Sequence, residues 1–211
     1  MLGSKILEER ESRFNGKIKV VKTLGMGTYI KAEGLTQSGG IVETIWKQTL
    51  RKVFNSKNKI QNVLILGLGG GTLAKLINKK WPDAKIVGVD IDSVMVELGK
   101  KYLGLGKVGV DIKICDALKF FERKPSNSDN KYDLIIVDLY QGDKFPEKFE
   151  TVKFLDLIVK NLSEGGEVVF NRLYFGDKRS QAVKFGNKLK KYFDRVEWVY
   201  PEANLMLVCK T

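Results

Sequence analysis

The sequence predicts an α/β fold: a doubly wound, largely parallel sheet with helices on both faces. Three observations predict it. Residues 63–66, VLIL, are a short continuous apolar run, the pattern of a strand buried on both faces. The run passes through Gly67, Gly69, Gly70 and Gly71 into a segment where Leu73, Leu76 and Ile77 share one helical face. Strand-like and helix-like segments then alternate almost to the C-terminus.

Taken in order, residues 1–16 read as a short polar arm. Alternation over 17–24 and a return over 28–32, joined by Gly25-Met26-Gly27, predict a β-hairpin, followed by GLTQSGG at 34–40. Ile41, Ile45, Trp46, Thr49 and Val53 mark one face of a helix over 41–54, and a polar linker, 55–61, leads into the central strand. Beyond the glycine turn, strands are predicted at 85–90, 110–115, 132–139 and 166–170. Helices are predicted at 93–103, 116–121, 147–162 and 177–192, with a polar loop at 123–131. Strand-like runs at 195–200 and 204–209, parted by Pro201, predict an antiparallel hairpin on the edge of the parallel sheet. The chain divides into a hairpin arm, 1–40, and a main domain, 41–211.

A length of 211 residues and an apolar content of 43% suit one globular domain with a small appendage. No apolar run approaches the roughly 18 residues of a membrane span. The charged N-terminus lacks the apolar core of a secretory signal, so the cytoplasm is the expected compartment. Cys115 and Cys209 have neither a disulfide framework nor a metal-binding spacing, and no metal is expected. The absence of histidine excludes His-ligated zinc and His-based acid–base chemistry. The net charge of +12 comes mostly from lysines spread over the chain, with only seven arginines, so it reads as a solvated coat. The segment with Lys184, Lys188, Lys190 and Lys191 is the best candidate for a basic face, but nucleic acid is not indicated.

A strand, a glycine turn and a helix N-terminus make a nucleotide cradle, because backbone can approach the ligand closely there. Alone, such a turn also occurs in βα units that bind nothing. Three successive strands, however, end in aspartate: Asp90, Asp116 and Asp138. Asp90 follows Gly67 by 23 residues, close to the spacing of a ribose-binding acid. Asp116 is placed to accept from an adenine amino group, and Asp138 faces the reacting end. Singly, each is as readily a helix N-cap. Thr72 stands where the dinucleotide fingerprint wants glycine or alanine. The turn, the two acids and the terminal hairpin together resemble the class I S-adenosylmethionine-dependent methyltransferase fold, a Rossmann-like doubly wound sheet.

Within that class nearly the whole chain resembles the spermidine synthase (aminopropyltransferase) family. Glu11-Ser12, Phe14, Ile18 and Val20 resemble its N-terminal β arm, and Gly34-Leu35-Thr36-Gln37 its glycine-x-x-glutamine segment. Gly70-Gly71-Thr72-Leu73 resembles its glycine loop, Asp90-Ile91-Asp92 its ribose motif, Asp116 its adenine-side acid and Asp138 the first acid of its catalytic loop. The resemblance implies cofactor contacts from Gln37, Gly67, Gly69, Gly71, Asp90, Ile91, Asp116, Ala117 and Asp138, and pairing into a homodimer. It implies a catalytic role for Asp138; Tyr140 and Gln141 are expected to share the catalytic work by positioning the acceptor, with Asn171 beside them at the rim and residues 140–146 forming part of a lid.

Three departures bear on the chemistry. Gly69 stands where the family has an aspartate for the cofactor amine, Gln141 where it has a second catalytic acid, and the family's Tyr-His-Glu cluster is missing. Gly69 is expected to leave room and free N–H groups for the carboxylate of intact S-adenosylmethionine, and a chain of charge +12 is expected to attract polycations poorly. Methyl transfer to a small-molecule acceptor is therefore the favoured reading. The alternative is aminopropyl transfer from decarboxylated S-adenosylmethionine, with Asp143 or Glu147 standing in for the missing base. A non-catalytic cofactor-binding module is the third.

Overall fold

The structure, a computed structural model, describes residues 3–53, 60–123 and 131–211. Its first part is a four-stranded antiparallel sheet, β1 (Ser4–Ser12), β2 (Gly16–Thr23), β3 (Gly27–Ala32) and β4 (Leu35–Gly39), in sequential order. The predicted hairpin is the inner pair, β2 with β3. The outer strands escaped the sequence reading for physical reasons. β1 is an edge strand whose SKILEERES residues are mostly charged and exposed, with Ile6 49% exposed, so it has no clean apolar alternation. β4 has only five residues, one of them glycine.

The second part alternates helices and strands: α1 (Ile41–Val53), β5 (Asn62–Leu66), α2 (Thr72–Lys80), β6 (Lys85–Asp90), α3 (Ser93–Tyr102), β7 (Val110–Ile114) and α4 (Ala117–Arg123). It continues with β8 (Tyr132–Val137), α5 (Val152–Asn161), β9 (Leu162–Leu173), α6 (Lys178–Leu189), β10 (Arg195–Val199) and β11 (Asn204–Lys210). The strands form one seven-stranded sheet in the order β10-β11-β9-β8-β5-β6-β7. All adjacent pairs are parallel except β11 with β9 and β11 with β10, so the predicted terminal hairpin is present. Strand order reverses between β5 and β8, the place where open α/β sheets bind ligands.

Val63, Leu64, Ile65 and Leu66 of β5 are fully buried and feed alternately into two cores. One packs α4, α5 and α6 on one face of the sheet; the other packs α1 and α2 on the opposite face. The N-terminal sheet rests on α3, where Ile18, Val20, Ile30 and Ala32 meet Met95 and Leu98. Asp92 locks this junction. Its Oδ2 accepts from Ser12 Oγ at 2.5 Å and Asn15 Nδ2 at 2.6 Å, while Oδ1 caps α3 through the amides of Val94 and Met95.

Some boundaries differ from expectation. The helix expected over 147–162 is a 3-10 turn, Glu147–Glu150, followed by α5, because Thr151 breaks the run and caps Phe154 N–H. β9 begins at Leu162, earlier than the predicted strand. Phe54, most of the linker at 55–61 and most of the loop at 123–131 lie outside the described residues. Among the described residues no helix is long and apolar enough to cross a membrane, and no cluster of acids or cysteines could hold a metal.

Candidate active site

The glycine turn is built by close approach of two strand ends. Gly67 leaves β5 at φ +91°, and a Cβ there would stand 2.0 Å from the Asp138 carbonyl oxygen, so only glycine lets the ends of β5 and β8 converge. The amides of Gly67 and Leu68 both donate to Val89 O, at 2.9 and 3.0 Å. Gly69 N–H donates to Asp90 Oδ2 at 2.7 Å, Gly70 N–H to Ser38 Oγ at 2.7 Å, and Gly71 N–H to Leu68 O at 3.0 Å.

Every amide from Gly67 through Gly71 thus has a partner within the chain. This corrects the expectation that Gly69 frees N–H groups for a cofactor carboxylate. Gly71 also differs from expectation: it faces Leu105, whose Cδ1 would lie 2.5 Å from an added Cβ, and does not line the cavity.

That cavity opens over the carboxyl ends of β5, β6, β7 and β8. It is lined by Gln37, Gly67, Gly69, Asp90, Ile91, Asp116, Ala117, Asp138, Tyr140 and Gln141, so it gathers the expected site residues apart from Gly71. Asp90 also accepts from Asp92 N–H at 2.8 Å through Oδ1. Burial pushes its carboxyl up to about 6, against the pull of those backbone donors. Asp116 accepts from Leu118 N–H at 2.9 Å and pairs with Lys148 Nζ at 2.5 Å. Burial is the largest single influence and acts upward, but the Lys148 ammonium and the Leu118 and Lys119 amides together outweigh it and hold Asp116 below the ordinary carboxylate range.

Asp138 stands just past β8, beside Asn171 on β9. Its Oδ1 accepts from Asn171 Nδ2 at 2.7 Å, and the Trp46 indole N–H donates to the same carboxylate. Burial raises Asp138 to about 6; the two donors oppose the rise and the charge of Asp90 adds to it. Tyr140 is spent locally: its hydroxyl accepts from Leu173 N–H at 2.7 Å and lies 3.4 Å from Asn171 O. Gln141 pairs its backbone with Lys144 at the start of the 140–146 loop and turns its side chain to solvent at the cavity edge. Gln37 reaches across from β4, donating to Gly142 O at 3.3 Å. Arg172 holds the same loop from beneath, lying over the Phe145 and Phe185 rings and pairing with Glu150 at 2.6 Å.

A second cavity adjoins the first. The two share Gln37, Val42, Trp46, Asp138 and Tyr140, and the second continues along Ile41, Ile45, Asn171, Phe175, Glu202 and Asn204. Among the described residues no Lys or Arg lines it, and Lys148 is the lone cation lining the first, so the local charge is opposite in sign to the net charge. The net charge of +12 therefore does not describe the cavities themselves, since among the described residues every lysine except Lys148 lies outside them. Asp143 is neutralised by Lys178 at 2.8 Å, and neither it nor Glu147 lines either cavity, which removes both as substitute bases.

Sequence reading missed Trp46, Asn204 and Lys148 as site residues. Trp46 is indistinguishable from a core residue of an amphipathic helix until its indole is seen to reach Asp138. Asn204 carried a weak signal, a polar residue opening the otherwise apolar run NLMLVC.

Residues 44–201 match the family model described as the spermine/spermidine synthase domain. The polyamine aminopropyltransferase of Hydrogenobaculum sp. is 30% identical over 207 residues, spanning 92% of this chain and 70% of that protein. An eEF1A lysine and N-terminal methyltransferase homolog of Drosophila melanogaster is 30% identical over 144 residues, 64% of this chain but 21% of that protein. The crystal structure of a probable spermidine synthase from Corynebacterium glutamicum superposes with a TM-score of 0.79 at 19% identity, covering 98% of this chain and 80% of the other.

Proposed function

The chain belongs to the spermine/spermidine synthase family, and from that premise we propose that it transfers an aminopropyl group from decarboxylated S-adenosylmethionine to an amine acceptor. The observation that carries the reading is the position of Asp138 on the wall common to both cavities, one of which would take the cofactor and the other the acceptor.

The residues fit such a cofactor. Asp116 with Lys148 suits the edge of an adenine, and Asp90 suits ribose hydroxyls because each of its oxygens can accept a further hydrogen bond beside the backbone donor it already holds. At the tail end, Asp138 and Gln37 offer acceptors, and among the described residues no Lys or Arg lies there to balance a carboxylate. An ammonium tail is stabilised at that end and a carboxylate tail is opposed. The second cavity suits an aliphatic amine: Trp46 and Tyr140 supply apolar and aromatic walls, and Asp138 and Glu202 supply carboxylates.

Bound in this way, the sulfonium supplies an activated carbon and a neutral thioether leaving group. The protein's part is alignment and proton transfer. Asp138 takes the proton that the acceptor nitrogen loses as the new N–C bond forms and the S–C bond breaks. A carboxylate raised to about 6 is a stronger base than an exposed one and is still mostly ionised at neutral pH.

Methyl transfer is the second reading. It is favoured by the neutral Gln141 and Gly69 at positions where the aminopropyltransferases resembled here carry acids, and by the similarity to the Drosophila methyltransferase homolog. Incubation with each sulfonium and a panel of diamines, with the released thioether identified by mass, tests both. The aminopropyl reading expects 5′-methylthioadenosine; S-adenosylhomocysteine as the product would replace it with methyl transfer. A cytoplasmic setting and a homodimer remain part of this proposal.

A further inference from the structure

Asp138 just past β8, Asn171 on β9 and Asn204 on β11 form a chain across neighbouring strands of the sheet. Asn204 Nδ2 donates to Asn171 Oδ1 at 2.8 Å, and Asn171 Nδ2 donates to Asp138 Oδ1 at 2.7 Å. Both asparagines are buried, 7% and 6% exposed. Register explains the alignment: Asn171 pairs with Met206, so Asn204, two residues away on β11, is its diagonal neighbour on the same face of the sheet.

A carboxamide has a donor end and an acceptor end of nearly equal size, and either can face a carboxylate. If Asn171 turned over, its carbonyl would oppose the Asp138 carboxylate. We propose that Asn204 is a positioning residue: by occupying the carbonyl of Asn171 it fixes the donor end toward Asp138 and keeps that carboxylate aligned and ionised. The proposal rests on the reading of Asp138 as the base only for its effect on rate; its effect on Asp138 itself does not depend on the reaction.

The surroundings leave few competitors for this role. Asp90 from the end of β6 acts on Asp138 by its charge, Tyr140 from the following loop and the exposed Glu202 from the turn before β11 share a cavity with it, and Trp46 from α1 and Gln37 from β4 bring hydrogen-bonding groups but no charge. Arg172, next to Asn171, points to the opposite face, against Phe145 and Phe185. Trp46 donates to Asp138 independently, so loss of Asn204 weakens the ionised form without removing every donor.

The test is the titration of Asp138, read from its carboxyl carbon signal by NMR in the full chain. Asn204→Leu adds no charge and is expected to raise the proton affinity of Asp138 two- to fivefold. Asn204→Asp, whose carboxylate draws the Asn171 donor to itself, is expected to raise it more than tenfold. If Asn204→Leu does not fold, Asn204→Ser, too short to reach Asn171, replaces it with the same expectation. Faster hydrogen exchange of the Asn171 side-chain amide in the folded variant would accompany the shift. An Asp138 titration that stays in place in the folded Leu or Ser variant overturns the proposal. If Asp138 shifts and no aminopropyl transfer is found in the parent, the positioning role stands and the functional reading fails.

Discussion

The amide of Gly69 donates to Oδ2 of Asp90 at 2.7 Å, tying the glycine turn after β5 to the acid that closes β6. One contact serves two purposes. It fixes the turn, and it uses the N–H group that a cofactor carboxylate would otherwise seek. Asp90→Ala removes the tie and, on the proposed reading, a ribose acceptor with it. Hydrogen bonds to a charged group contribute about 1.5–3 kcal/mol each, so cofactor affinity should fall by about 10- to 100-fold, measured by calorimetry.

If Asp138 is the base, as proposed, it sets the pH dependence. Its folded value, about 6, lies above the ordinary 3.8, so it takes up a proton as pH falls through about 6. A base must be ionised; transfer should therefore decline about tenfold per pH unit below about 6, in a plot of kcat/KM against pH.

Asp138→Asn should separate rate from stability. Rate should fall by about 100-fold or more when the base is lost. The raised value means that the ionised carboxylate costs folding energy in full above about 6, and that this cost shrinks as pH drops from there toward the ordinary 3.8. The amide variant carries no such charge, so it should be more stable than the parent by about 1 kcal/mol at a pH of about 8, a figure reduced for partial contact with solvent. The gain should shrink below about 6 and vanish near 3.8, as read from denaturant midpoints.

Gly99→Ala tests how α3 meets the glycine turn. An added Cβ would lie 2.5 Å from Gly70 Cα and 2.6 Å from its carbonyl oxygen, a collision with backbone that no rotamer relieves. Loss of about 1–3 kcal/mol is expected, with weaker cofactor binding because the turn is displaced. Asp92→Ala should cost a similar amount by a different route: it removes the cap of α3 and leaves Ser12 and Asn15 without their shared acceptor. Denaturant midpoints of the two variants check both expectations.

Much of the fold was legible in the sequence because its central strands are buried on both faces. The apolar runs at β5 and β8 and the turn at 67–71 admit few alternatives, and Asp90, Asp116 and Asp138, at or just past the ends of β6, β7 and β8, mark where those strands stop. β1 was hidden by its charges, since an edge strand needs no apolar face. The candidate site was legible as residues that share a cavity, but its hydrogen bonding and local charge were not. Whether the Gly69 amide is free depends on where Asp90 folds, 21 residues away, and the sign of the local field depends on where the described lysines fold. Asn204 could be recognised only once the register of β11 on β9 placed it diagonal to Asn171.

The central claim is that the tail end of the cofactor cavity receives an ammonium group and opposes a carboxylate. Isothermal titration of the chain with decarboxylated and with intact S-adenosylmethionine, at one pH of about 7.5, measures this directly. The decarboxylated form should bind at least about tenfold tighter, roughly 1.4 kcal/mol. Equal or tighter binding of the intact form would contradict it.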